Sequence, residues 1–246
     1  MYFIVSRRTL TIILGLLVTF MTLMSVVGVL AVDNAQYEAI RFFFESKYRQ
    51  SPHTWIAASL LIVPALLGGA IVWERRQTGA PFVAHWLGIT IFILLLSINA
   101  VADFYGFMVA NQSDLDTAGP LLYGWFLPLF VFLGILAWVS RPFLAALPEQ
   151  LRSPMIGALV LLIGGTLALT ATNRLFLDTD LFIDRTTTAT LVADVGASAV
   201  TNYILLITLS QLIIWVGNII IIHTLLTYLK DFTTLQIDFD PVKTTA

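Results

Sequence analysis

Six long apolar stretches, separated by short polar connectors, dominate this chain and restrict what it can fold into. The hydrocarbon core of a bilayer is about 30 Å thick, and a helix needs about 20 apolar residues to cross it. Each stretch comes close to that length or exceeds it. Backbone amides have no water to bond to inside lipid, so each stretch should form a helix. The six stretches are residues 9–32, 54–73, 82–103, 121–139, 155–172 and 200–229.

These stretches predict an all-α, polytopic integral membrane protein built as a six-transmembrane-helix bundle. Little of the chain is left for a soluble domain, so residues 1–246 are expected to form a single transmembrane domain. The first stretch is too long for the apolar region of a secretory signal, which is about 7–15 residues, and we interpret it as an uncleaved span. The three connectors on the far side from the N-terminus are residues 33–53, 104–120 and 173–199.

The composition excludes several classes of function. Charged residues make up 11% of the chain and hydrophobic residues 58%, whereas an average soluble domain has about 25% charged residues. The net charge is −2 and no basic block is present, which argues against nucleic acid as a partner. The chain has no cysteine, so disulfides, thiolate metal sites and cysteine nucleophiles are excluded. We predict no metal site.

Basic residues are divided unevenly between the two sides of the predicted bundle. The N-terminal side carries Arg7, Arg8, Arg75, Arg76, Arg141, Arg152, Lys230 and Lys243. The other side carries Arg41, Lys47, Arg49, Arg174 and Arg185. Because connectors rich in Lys and Arg stay in the cytoplasm, both termini are predicted to be cytoplasmic. The short Glu74–Arg75–Arg76 segment, interpreted as a tight turn, contributes most to this assignment, and we expect a prokaryotic plasma membrane as the location.

Small residues predict where helices approach each other closely. Gly68 and Gly69 lie in the second stretch, and Gly164 and Gly165 lie in the fifth. Residues without bulky side chains let the backbones of two membrane helices come together. Each of these two helices is therefore predicted to pack closely against a neighbouring helix at its glycines.

Polar residues inside the apolar stretches are the strongest functional leads, because polar groups are costly at membrane depth. Asn99 and Asp103 are four residues apart and should project from one face of the third helix. Gln211 and Asn218 are seven residues apart on the sixth helix and also share a face. These four residues are candidates for a polar path through the membrane. The structural alternative is a solvated carboxylate at a helix end and amides that bond to neighbouring helices.

Two histidines define a candidate haem site. His85 lies near the start of the third stretch and His223 near the end of the sixth, so both are expected at a similar depth on the cytoplasmic side. Two neutral imidazoles on facing helices could ligate a b-type haem. The alternative is that they are ordinary interfacial histidines and that the protein holds no cofactor.

Three functions remain compatible with these features. The first is a non-catalytic structural or accessory subunit of a membrane assembly, with lipid and other membrane subunits or a second copy of the chain as partners. The second is a small transporter or channel for protons, cations or a small solute. The third is a redox subunit with haem on His85 and His223. The motifs G-x-S-x-G and H-E-x-x-H are absent from the sequence, so we do not expect a hydrolytic enzyme.

Overall fold

All six predicted helices are present in the computed structural model, which describes residues 7–30, 52–102, 121–175 and 197–232. Every regular element in these ranges is an α-helix, which confirms the all-α class. In chain order the helices are α1 (Arg7–Leu30), α2 (Pro52–Thr78), α3 (Val83–Ala102), α4 (Leu121–Ala146), α5 (Glu149–Leu175) and α6 (Ala197–Phe232).

Four of the helices contain a segment that is long and apolar enough to cross a membrane. These segments are Arg7–Val27 in α1, Trp55–Thr78 in α2, Glu149–Leu169 in α5 and Ser198–Phe232 in α6. In α3 the apolar segment Val83–Ile98 is shorter. The chain is therefore a multi-pass membrane protein by the length and composition of its described helices. The three predicted outer connectors lie almost wholly outside the described residues.

One local prediction was wrong, because α2 continues through the segment expected to form a tight turn. Arg75 and Arg76 lie in the last turn of α2, where cations are favoured by the partial negative charge of a helix C-terminus. The turn follows at Gly79, whose φ is +64°, and the amide of Ala80 donates to the Arg75 carbonyl at 3.0 Å. This bond and the left-handed glycine form a Schellman motif, which ends the helix.

Consecutive helices run in opposite directions, so that one terminus of each helix lies at the same end of the bundle. Arg7, at the start of α1, forms an ion pair with Asp231 at the end of α6, at 3.3 Å. Trp86, near the start of α3, lies 5.0 Å from Tyr228 of α6 and 5.2 Å from Phe143 near the end of α4, between ring centroids. We call this the basic end: α1, α3 and α5 begin there, and α2, α4 and α6 end there.

The long helix α6 lies at the centre of the bundle and contacts α1, α2 and α5, while α3 packs against α2. One core cluster joins Trp215, Ile222 and Leu226 of α6 to α1 and α2. A second, larger cluster includes Ile221 and Leu225 of α6 and joins it to α2, α3, α4 and α5. Because both clusters include α6, its packing decides which side chains are shielded from lipid.

Glycines allow a close approach between α5 and α6. A Cβ atom at Gly217 of α6 would lie 3.1 Å from the carbonyl oxygen of Ala158 on α5. A Cβ atom at Gly165 of α5 would lie 3.1 Å from the carbonyl oxygen of Ser210 on α6. The predicted contact is confirmed at Gly165. A Cβ atom at the neighbouring Gly164 would have nothing within 4 Å. In α2, Gly68 packs against Thr90 of α3, which confirms the predicted contact there, whereas a Cβ atom at Gly69 would have nothing within 4 Å.

The helix α4 joins the core through its C-terminal end. Phe143 and Leu147 are buried there, and Arg152 of α5 donates hydrogen bonds to three carbonyls at this end, including that of Leu144 at 3.0 Å. Farther from this end, every residue between Val131 and Val139 whose exposure is described is exposed. This stretch of α4 therefore presents apolar surface rather than a face buried in the described core.

Candidate functional site

The central helix α6 carries a buried polar stripe. Gln211 and Asn218 are seven residues apart, and Thr208 lies three residues before Gln211, so the three share one side of the helix. The side chain of Asn218 is 0% exposed, and Thr208 is buried. Neither amide atom of Asn218 has a hydrogen-bond partner among the described residues, and the same holds for Gln211 Oε1 and Thr208 Oγ1. The stripe thus places four polar atoms inside the bundle that have no hydrogen-bond partner in the described part of the chain.

The depth of Asn218 can be measured along α6 from the basic end. Asn218 precedes Tyr228 by ten residues, which is about 15 Å at the rise of an α-helix. Tyr228 accepts a hydrogen bond from Arg75 Nε at 2.9 Å, so it lies at the level of the first charged groups. Since the hydrocarbon core is about 30 Å thick, Asn218 lies near the middle of the span.

Packing holds Asn218 in the interior even though this position carries an energetic cost. Its neighbour Gly217 packs against α5, and Trp215 and Ile222 pack in the cluster with α1 and α2. The Asn218 side chain lies between these contacts and is 0% exposed. An unpaired buried amide costs about 1–3 kcal/mol. A side chain retained at this cost is a reasonable candidate for contact with water, an ion or a polar solute.

The described residues bring together only part of the predicted polar path. Gln211 and Asn218 are joined by the helix they share. Asn99 lies in the last turn of α3, but its side chain is outside the described residues, and Asp103 follows the last described residue of α3. Their relation to α6 therefore stays a prediction.

Thr208 extends the stripe and was missed from the sequence, as was the buried indole of Trp86. Thr208 follows the same spacing as Gln211 and Asn218, but threonine in a membrane helix usually donates to the carbonyl four residues earlier. Thr224 on the same helix does so, at 2.7 Å from the Ile220 oxygen. Trp86 is 0% exposed, and its Nε1 has no hydrogen-bond partner in the described part of the chain. Trp86 lies near the end of a predicted span, where tryptophan commonly faces the headgroups, so its burial could not be predicted from the sequence.

The two candidate haem ligands have different neighbours. The His85 ring stacks on Phe143 of α4, with centroids 5.5 Å apart and planes 14° apart. His223 Nδ1 lies 3.0 Å from the Thr11 hydroxyl of α1. His223 is five residues before Tyr228, so about 140° around the helix separates it from the residue that contacts Trp86 of α3. The two imidazoles therefore point toward different parts of the bundle.

At the basic end, arginines bind the helix termini together. Arg75 donates from Nε and Nη2 to the Tyr228 hydroxyl and from Nη1 to the carbonyl of Pro81. Arg7 donates to the Thr227 hydroxyl at 3.2 Å as well as to Asp231. Arg152 bonds to α4 as described above. These three arginines have structural partners, whereas Arg76 and Arg141 are exposed.

Within the described ranges, no group of three or more histidine, aspartate or glutamate side chains could hold a metal ion. Comparison of the chain with protein-family models, curated proteins and solved structures finds no match. The function must therefore be inferred from the helices and side chains themselves.

Proposed function

We propose that this chain is a six-span, non-catalytic accessory subunit of a membrane assembly, with both termini in the cytoplasm. The observation that supports this function is the exposed apolar stretch of α4. Val131 and Ile135 are 54% and 59% exposed. They lie on one side of a helix that is anchored to the core at its basic end. A partner helix can use such a surface, because association in lipid depends on close packing.

Co-purification in a mild detergent tests this function. A partner subunit, or a second copy of the chain, should remain bound to the wild-type protein. Gly134→Leu should release it, because Gly134 is exposed on α4 and a large side chain there would separate the packed helices. Gly164→Leu on α5 is a matched control, since no other group lies within 4 Å of a Cβ atom at either glycine.

A monomeric wild-type protein without any partner would contradict the proposal. Loss of the partner in the control variant as well as in Gly134→Leu would mean that α4 is not the contact surface.

A second candidate function is a small transporter or channel for protons, cations or a small solute. The observation that favours it is the stripe of unpaired polar atoms around Asn218 and Gln211, with Asn99 and Asp103 proposed at the outer end of the path. In proteoliposomes, Asp103→Asn should abolish a pH-dependent flux and Asn218→Leu should block the path. A flux unchanged in both variants would eliminate this function.

A b-type haem on His85 and His223 stays a prediction with weaker support, because the described contacts of the two rings are with different helices. An absorbance spectrum of the purified protein tests it directly. A Soret band that disappears in both His85→Ala and His223→Ala would support the haem, and a featureless spectrum would exclude it.

A further inference from the structure

The same pair of residues occurs near the basic end of two different helices. Trp73 is followed three residues later by Arg76 in α2, and Trp138 is followed three residues later by Arg141 in α4. Residues three apart lie on the same side of a helix, about 4.5 Å apart along its axis. In each pair the tryptophan is nearer the middle of the helix and the arginine nearer its end. We refer to them as the two Trp-Arg pairs.

Both pairs face outward from the bundle. Trp73 is 65% exposed and Trp138 is 67% exposed, and both arginines are exposed as well. Tryptophan is enriched where the hydrocarbon core meets the headgroups, because its ring is apolar and its N–H is polar. An arginine one turn beyond such a tryptophan lies at the depth of the lipid phosphates.

The guanidinium groups of the two pairs are available to an anion. Within the described part of the chain, neither Arg76 nor Arg141 forms an ion pair, in contrast to Arg7. Arg141 lies over the ring of Trp138, with Cζ 4.6 Å from the centroid. Stacking leaves its in-plane N–H groups free, and these match the oxygens of a phosphate in bidentate geometry.

We propose that each Trp-Arg pair binds the phosphate of one anionic phospholipid in the leaflet at the basic end. The arginine donates to the phosphate, and the indole packs against the glycerol region and the upper acyl chain. Because the indole contacts parts of the lipid that free phosphate lacks, the site should prefer a phospholipid to free phosphate. The proposal depends on the chain lying in a membrane but not on its direction of insertion or on an accessory role.

Native mass spectrometry of the purified full-length protein tests the proposal, with dioleoyl phosphatidylglycerol and dioleoyl phosphatidylcholine titrated separately. The wild type should retain phosphatidylglycerol in preference to phosphatidylcholine. Loss of a hydrogen-bonded contact between one arginine and the lipid phosphate should change affinity about fivefold. Arg76→Gln and Arg141→Gln should each weaken one phosphatidylglycerol site by about that factor and leave the other unchanged, and the double variant should weaken both sites by about fivefold.

Arg8→Gln is the matched control, since Arg8 is exposed at the same end but follows no tryptophan. It should change binding less than twofold, whereas Trp138→Leu, which keeps the charge, should weaken it. An excess of inorganic phosphate should leave the lipid bound. Equal binding of the two lipids by the wild type would overturn the proposal. So would an effect of Arg8→Gln as large as that of Arg141→Gln, or complete displacement of the lipid by phosphate.

Discussion

Asn218 and Ser97 show how differently two buried polar side chains are accommodated in this bundle. Ser97 of α3 donates a hydrogen bond to the carbonyl of Ala58 on α2 at 2.9 Å and so joins two helices. Asn218 is equally shielded, but its amide has no hydrogen-bond partner among the described residues. Removing a satisfied group loses an interaction, whereas removing an unsatisfied one relieves a cost. The two residues should therefore respond to substitution with opposite signs.

We predict that Asn218→Leu raises the free energy of unfolding by about 1–3 kcal/mol, because an apolar side chain of similar size replaces an unpaired amide. Ser97→Ala should lower it by about 0.6 kcal/mol, the average for a hydrogen bond between membrane helices. Unfolding of both variants in detergent, monitored by circular dichroism, measures the difference. A loss of stability in Asn218→Leu would show that the amide is satisfied by bound water or a ligand.

At the scale of the helix, the interface between α5 and α6 depends on two glycines rather than on apolar side chains alone. Gly165 and Gly217 each face a backbone carbonyl of the other helix, which would lie 3.1 Å from an added Cβ atom and would have to move by a few tenths of an ångström. Backbone atoms cannot rotate away as a side-chain end can. The helices would have to separate, and the packing around Ala158 and Ile214 would loosen.

We predict that Gly165→Ala and Gly217→Ala each lower the free energy of unfolding by about 1–3 kcal/mol, the usual cost of overpacking. Gly164→Ala is the control on the adjacent residue. It should be neutral or stabilising by up to about 1 kcal/mol, because alanine is the better helix former and the space beside Gly164 is open. If all three variants were equally stable, the close approach of α5 and α6 would be incorrect.

For the whole molecule, the alternating direction of the helices collects the structural arginines at one end. Arg7, Arg75 and Arg152 bind helix termini there. A concentration of Lys and Arg on one side favours retention of that side in the cytoplasm. The charge that orders the basic end therefore also supports the proposed orientation.

We predict that the basic end is cytoplasmic, and the absence of cysteine makes this easy to measure because an introduced cysteine is the only thiol in the chain. A membrane-impermeant maleimide should label Asn111→Cys, in the predicted outer connector 104–120, in intact cells. It should label Gln77→Cys, at the exposed end of α2, only after permeabilisation. The reverse pattern would require the opposite orientation.

Helix formation and the clustering of charge could be predicted from the sequence because both depend on local properties. An apolar stretch in lipid must satisfy its backbone within itself, so each of the six predicted helices is present in the described structure. Their ends were harder to place. Arg75 and Arg76 are polar, yet a helix C-terminus accommodates them, and α2 ends where Gly79 takes a left-handed conformation. Polarity therefore marked where the apolar surface stops rather than where the helix stops.

The sequence by itself determined that the chain is helical, apolar and marked at one end by arginine. Only the tertiary structure decided that α6 is central, that Gly165 rather than Gly164 meets it, that Asn218 is buried and that part of α4 is left exposed. The reason is that lipid chains are about as apolar as leucine. Hydropathy therefore cannot distinguish a helix face that meets another helix from one that meets lipid, and only the packing of backbones and side chains in three dimensions does so.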